Sequence, residues 1–402
     1  MDWRSLDEQY IISTYKRLPI AIAKGSGNYL YDTEGKSYLD LFTGLAVNVL
    51  GHSHPKIVQA LREQGEQFLH ISNVFLNQPA IRLAQRLVER TIPGKVFFSN
   101  SGAEATEAAI KLIHKWTKAQ GAGREGIVVL RNSFHGRTLG AVRLTRQPNV
   151  YQDFPQPTFP VFELEVEDAA GLRALCQEAK PAAVLMEPVL GSGGVIPLSD
   201  DFLREVEAIC REEGMLLCMD EIQTGMGRTG KLFAYQHAGV TPDLILFAKG
   251  VGGGLPLGGL IAGTQLMDLF KPGDHGSTFA PSPLSAALGN AVMDELLNPS
   301  FDAQLQEVIQ YLWNGLESLR ERLPQQLQAL RGKGMMVGIP LTATPEEASR
   351  LQQNLLDEGI LVDVTQKTVV RLLPPLTLTT KDVDFFLAVF SRQLKALSSE
   401  EE

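Results

Sequence analysis

Residues 216–254 read LLCMDEIQTGMGRTGKLFAYQHAGVTPDLILFAKGVGGG, and two short apolar runs inside this stretch decide the fold. LLCM (216–219) and LILFA (244–248) each have the length of a strand buried on both faces, and each stops at an ionisable residue. The first run delivers Asp220 and Glu221, the second Lys249. In an open α/β sheet the ligand crevice lies beyond the carboxyl ends of the strands, so an acid and a lysine leaving two such ends can converge on one bound molecule. Pyridoxal 5′-phosphate (PLP) chemistry requires that pair. A lysine amine has to condense with the cofactor aldehyde, and a carboxylate has to face the pyridine nitrogen, whose protonated form acts as an electron sink. An opposite charge favours the protonated nitrogen most where water screens poorly. Asp220 is the candidate carboxylate. Lys249, once freed, is the candidate proton carrier between the substrate carbon and cofactor C4′. Taken singly, a lysine after an apolar strand or an aspartate before a turn is more often a solvated strand end. Together, with Gly250, Gly252, Gly253 and Gly254 following the lysine, they favour chemistry.

The pattern extends in both directions. AAVLMEPVLGSGGV (182–195) is a further apolar strand, ending at Glu187, and DFLREVEAICREEGM (201–215) is an amphipathic helix feeding the strand that bears Asp220. Such β-α-β alternation describes a doubly wound, mostly parallel sheet, an α/β fold. KVFFSNSGAEATEAAIKLIHKW (95–116) reads as strand, Ser-Gly turn and helix. The N–H groups and dipole at such a helix start make an anion site, for which the cofactor phosphate is the natural occupant. Ser101 and Glu104 also stand in the Ser-x-x-Glu relation of a capping box, and both readings can hold at once. GIVVLRN (126–132) is another strand, leading into SFHGRTLGA.

Near the start, YLYDTEGKSYLDL (29–41) has the form of a hairpin around 33–36, and two helices are expected over 56–70 and 80–91. His52 and His54, beside Gly51 and Pro55, read as a turn into a helix rather than a metal pair. From about residue 286, helical segments and the strands GMMVGIPL, LVDV and VVRLLP describe an α+β region, with a Ser-Glu end expected to fray. The division expected is an N-terminal segment of a small domain (1–50), a large cofactor-binding domain (51–285) and the remainder of the small domain (286–402).

Composition narrows the function. At 402 residues with 44% hydrophobic content, the chain can bury a sizeable core. A formal net charge of −9 with no Lys/Arg cluster argues against a nucleic-acid surface. The first residues are polar and acidic, and no run approaches the ~18 apolar residues of a membrane span. A cytoplasmic protein with no nucleic-acid or membrane partner is expected. Cys176, Cys210 and Cys218, odd in number and widely spaced, suit buried thiols.

The run 220–258, with LDLFTGLAVNVLGHSHP, SNVFLNQPA, FFSNSGAEATEAAIK, NSFHGRTLGA and GDHGSTFAPSPLSAALG, resembles the class III (ornithine-type, subgroup II) aminotransferases over nearly the whole chain. That resemblance implies PLP-dependent transferase fold type I and a set of site roles. Gly102 and Ala103, with Ser101, would contact the cofactor phosphate. Phe134 would stack on the pyridine ring, with Ile222 on its opposite face. Gln223 would touch the phenolic oxygen, and Glu187 would support the site by hydrogen bonding. Arg137 would hold a substrate carboxylate. Thr278 would reach the phosphate bound by a neighbouring subunit and Ser277 would lie beside the substrate, so a homodimer with shared active sites is implied. Arg371 would receive the α-carboxylate of 2-oxoglutarate or glutamate.

Two segments depart from the family pattern. Leu190 and Ser192 stand where Gln and Glu are usual, and in the ornithine-type mechanism that Glu masks the arginine matched by Arg371. With Ser192, Arg371 is expected to stay free to take a carboxylate at every stage. Pro281-Ser282 replaces a common Gly-Asn. The reaction implied is transfer of an ω-amino group, N-acetylornithine being the foremost donor, to 2-oxoglutarate. Ornithine, 4-aminobutyrate, β-alanine or a diamine, with pyruvate as a possible acceptor, are alternative substrates. An aminomutase or racemase would keep Lys249 and Asp220 but need no added keto acid, and a non-catalytic PLP-binding regulator is disfavoured by the intact lysine and the lack of a DNA-binding extension.

Overall fold

The computed structural model describes residues 2–121 and 123–399. Its centre is a seven-stranded sheet in which the two quoted runs lie side by side. Leu216–Asp220 pairs in parallel with Leu244–Phe247, and on its other edge with Ala183–Met186. Ile127–Leu130 and Val161–Leu164 continue the parallel set. On the far side Gly258–Gly263 runs against the others and carries Gly94–Ser99 as the edge strand.

The continuous apolar runs are explained by burial on both faces. Leu217, Met219, Ile245 and Phe247 belong to one hydrophobic cluster, while Leu216, Cys218, Leu244 and Leu246 belong to another on the opposite side. Asp200–Glu213 covers the first face through Phe202, Val206 and Ile209. Its start is fixed by Ser199, whose hydroxyl accepts from the Phe202 N–H at 3.1 Å, and Gly214 ends it at φ 62°. Gly102–Gln120 covers the second face with Ala108, Leu112, Ile113 and Trp116.

The N-terminal strands Ile22–Ser26, Tyr29–Asp32 and Ser37–Asp40 form an antiparallel meander with the hairpin expected at 33–36. Ser37–Asp40 also pairs in parallel with Ile360–Leu361, so the two ends of the chain share one sheet. A further antiparallel sheet joins Arg331–Lys333, Met336–Pro340, Val369–Leu372 and Asp363–Thr365 in that spatial order. Helices Pro299–Arg322, Pro345–Asp357 and Thr380–Ser399 pack with these strands. Pro55 opens the helix Pro55–Gln67 as expected, and His52 Nε2 lies 2.7 Å from Asp40 Oδ2. The three cysteines are buried and unpaired. The expected fraying of the acidic end falls on 400–402, outside the described residues. Among those residues no helix is long and apolar enough to cross a membrane.

Candidate active site

Three parallel strands end at one cavity of about 490 Å³, and each places an ionisable residue at its end or within two residues beyond it. Asp220 closes Leu216–Asp220, Glu187 follows Ala183–Met186, and Lys249 comes two residues after Phe247. Both Asp220 and Lys249 line the cavity. Successive side chains on a strand face opposite ways, which separates Asp220 from Glu221. The latter turns away and accepts from Thr224 Oγ1, Ala234 N and Tyr235 N, anchoring the next turn of chain.

Lys249 adopts φ 50°, a left-handed conformation costly for a side-chain-bearing residue, as recurs where a site holds a group in place. Burial brings its amine down to about 8, Asp220 and Glu187 pulling it upward and Arg371 pushing it lower. Asp220 is fixed by two contacts: its Oδ2 lies 2.7 Å from His135 Nδ1, and its Oδ1 accepts from the Ile222 N–H at 3.1 Å. His135 is fully enclosed, and its Nε2 has no partner. Glu187 accepts from Phe134 N at 2.8 Å and Gly191 N at 3.1 Å, and burial pushes its carboxyl up to about 7.

The phosphate end is the start of Gly102–Gln120. Ser101, Gly102 and Ala103 line the cavity there, and the first N–H groups of a helix have no partner within it. Half of the capping box forms. Ser101 Oγ accepts from Glu104 N at 3.2 Å, but the Glu104 carboxylate reaches Asn100 N at 2.6 Å, one residue short of the expected backbone donor. Gly102 leaves room for Ile222: a Cβ there would sit 2.8 Å from Ile222 Cδ1. Phe134, Ile222 and Gln223 line the same space, and the Gln223 amide oxygen is buried without a partner. Arg137 stands exposed at the edge of the cavity, its guanidinium 5.7 Å from the centre of the Phe134 ring.

A helix start for a phosphate, a carboxylate at a strand end, a lysine two residues beyond the neighbouring strand and an unpaired amide make a cradle that fits PLP. When bound, PLP supplies an aldehyde for amine exchange and a protonated ring that draws electrons from the substrate carbon.

Three expected site residues lie outside the cavity lining. Ser277 borders a neighbouring cavity of about 610 Å³ and joins the first through Asn100, whose Nδ2 donates to Ser277 Oγ at 3.0 Å. Thr278 is exposed on this chain. Arg371 is buried, and here the expectation of a free arginine is corrected. Its Nε and Nη2 donate to Asp363 Oδ2 at 2.9 and 2.6 Å. The two residues face each other across paired strands, so the counter-charge comes from the adjacent strand although Ser192 lacks one. Of the departing residues, Ser192 lines the cavity whereas Leu190 is buried in the core. Ser282 caps the helix Pro283–Leu296.

The sequence reading did not single out His135, Asn100 or Asp363. His135 lay inside a quoted motif, but its contact with Asp220 spans 85 positions, beyond any local signal.

The model of the family described as aminotransferase class-III matches residues 10–394. The chain belongs to this family of PLP-dependent aminotransferases. It is 39% identical to an acetylornithine aminotransferase of Caldanaerobacter subterraneus subsp. tengcongensis, over 97% of this chain and 98% of that protein. An ornithine aminotransferase of Toxoplasma gondii, crystallised with partial occupancy of PLP at its active site, superposes with a TM-score of 0.93 at 28% identity, over 99% of this chain and 95% of that one. An N-acetylornithine aminotransferase structure from Stenotrophomonas maltophilia gives 0.83 at 31% identity, over 98% and 99%.

Proposed function

We propose that this chain transfers the ω-amino group of N-acetylornithine to 2-oxoglutarate, giving N-acetylglutamate 5-semialdehyde and glutamate, a step of arginine biosynthesis. The observation carrying this reading is the near-full-length identity of 39% to an acetylornithine aminotransferase, with Arg137 placed at the edge of the cofactor cavity. A planar guanidinium holds a carboxylate through two parallel hydrogen bonds, so Arg137 binds the donor's α-carboxylate and leaves its distal amine pointing inward. Lys249 Nζ takes the proton from the ω-carbon and returns it on the other side of the transfer. A depressed amine pKa near working pH suits both roles. Asp220, held by His135, would face the ring nitrogen of bound PLP, and Glu187 ties the Phe134 and Gly191 backbones together beside that site.

The active form in this reading is a cytoplasmic homodimer, with Thr278 reaching the phosphate bound by the neighbouring subunit and Ser277 lying beside the substrate at the subunit boundary. Residues 51–285 supply the cofactor cavity apart from Val47, and 1–50 with 286–402 form the smaller domain in this reading. Steady-state rates with a panel of amines, and with 2-oxoglutarate and pyruvate as acceptors, test it. N-acetylornithine with 2-oxoglutarate is expected to give the highest kcat/KM. An equal or higher value for ornithine, 4-aminobutyrate or a diamine would replace the donor, an outcome for which Ser192 is the motivating departure.

A further inference from the structure

We infer that Asp363 is a fixed counter-ion that sets how strongly Arg371 holds a substrate carboxylate, and so helps determine substrate preference. The inference rests on the proposed role of Arg371 as a carboxylate receptor. Asp363 and Arg371 are directly opposed in the antiparallel pair Asp363–Thr365 with Val369–Leu372, so their side chains share one face. One carboxylate oxygen, Oδ2, accepts from both Nε and Nη2. Arg371 Nη1 remains buried without a partner, the one nitrogen of the guanidinium with no protein acceptor. A carboxylate arriving at this arginine therefore meets a guanidinium already neutralised on one edge, with hydrogen-bonding capacity left chiefly on the other.

The strand that carries Asp363 is also anchored to the site. Thr365 Oγ1 and Gln366 Nε2 both donate to the Ser192 carbonyl, at 3.1 and 2.8 Å. Ser192 lines the cofactor cavity. The backbone of Asp363 is therefore held by strand pairing on one side and, through its neighbours Thr365 and Gln366, by the Ser192 loop on the other, which keeps its carboxylate within reach of Arg371. The arginine's attraction for carboxylates is weakened throughout the cycle. This disfavours capture of the donor's α-carboxylate at Arg371, which would bring the wrong amine to the cofactor, at the expense of looser keto-acid binding.

The test is calorimetric binding of glutarate, a dicarboxylate with no keto group to react, to the cofactor-loaded enzyme. Asp363→Asn keeps the size and removes the charge, and is expected to tighten glutarate binding about tenfold. Asp363→Glu keeps the charge and is expected to bind as the parent does. Arg371→Lys, losing the planar fork, is expected to bind weakly. Unchanged or weaker binding in Asp363→Asn while Arg371→Lys loses affinity would overturn the counter-ion inference alone. Glutarate binding indifferent to Arg371→Lys would remove the carboxylate-receptor role of Arg371, and the inference with it.

Discussion

Lys249 carries an energetic cost that can be measured apart from catalysis. In the cofactor-free protein, burial lowers its amine from the ordinary 10.5 to about 8. The unfolded chain therefore binds more protons than the folded one between those values, and stability rises with pH across that window. Below pH 8 both states are charged and the full penalty applies. Lys249→Met is thus expected to stabilise the cofactor-free protein at pH 7, by at most about 3 kcal/mol, and the gap to the parent should close between pH 8 and 10.5. Denaturant melts of both proteins across pH check this, and a variant no more stable at pH 7 would contradict it. Glu187 has the opposite sign. Its carboxyl, raised to about 7 from 4.5, costs stability as pH climbs through that interval, which is why parent and variant must be compared at equal pH. At this scale the catalytic pair was legible because chemistry dictates residue types at strand ends. The Asp363–Arg371 pair was not, because it depends on a hairpin whose turn carries no sequence signal. Gln366 and Lys367 adopt φ of 47° and 70°, positions that Asn or Gly would have announced.

The strand Gly258–Gly263 shows how an element that carries none of the reacting side chains shapes the phosphate end. Gly258 pairs with Ser99, and a Cβ on it would lie 2.8 Å from the Ser101 carbonyl oxygen. That neighbour is backbone, so the turn leading into Gly102–Gln120 has to move rather than a side chain swing aside. Gly258→Ala is expected to weaken PLP binding at least tenfold while costing about 1–3 kcal/mol of stability. A spectrophotometric PLP titration with a parallel melt distinguishes this from a general folding defect, and wild-type affinity in the variant would show that the turn yields freely. The strands themselves were readable from their apolar runs, and the helix from its Ser-Gly start. The TGMGRTG loop (224–230) has the composition of an ordinary turn. Its Arg228 is fully buried and donates to the carbonyls of Met335 and Pro374, pinning the loop to the C-terminal region. The sequence offered no cue, because a lone arginine between glycines is ordinarily solvated.

Across the whole molecule the conspicuous surface feature is apolar. Val74, Phe75 and Leu76 are 81%, 65% and 85% exposed, and Phe279, next to Thr278, is 65% exposed. Isolated exposed apolar residues are common, whereas a run of three beside the cavity bordered by Ser277 is the kind of patch a partner surface covers. If a second copy covers it and supplies Thr278, Leu76→Asp should yield folded monomers with at least about tenfold lower PLP affinity and activity, since a buried unpaired carboxylate disrupts such a contact. Light scattering coupled to chromatography, with activity of the same fractions, checks this, and a fully active monomer would exclude a shared site. The doubly wound architecture was legible from the order of apolar runs, whereas sharing of one sheet by the two chain ends follows from a pairing between Ser37–Asp40 and Ile360–Leu361 that no local pattern encodes. The central claim is that the Lys249 amine and the Asp220 carboxylate meet one cofactor in one cavity. Borohydride reduction of the PLP-loaded protein followed by peptide mass mapping tests it most directly. The expected result is one stable cofactor adduct, on the peptide containing Lys249 and absent from Lys249→Ala; an adduct confined to another lysine, or none at saturating PLP, would contradict it.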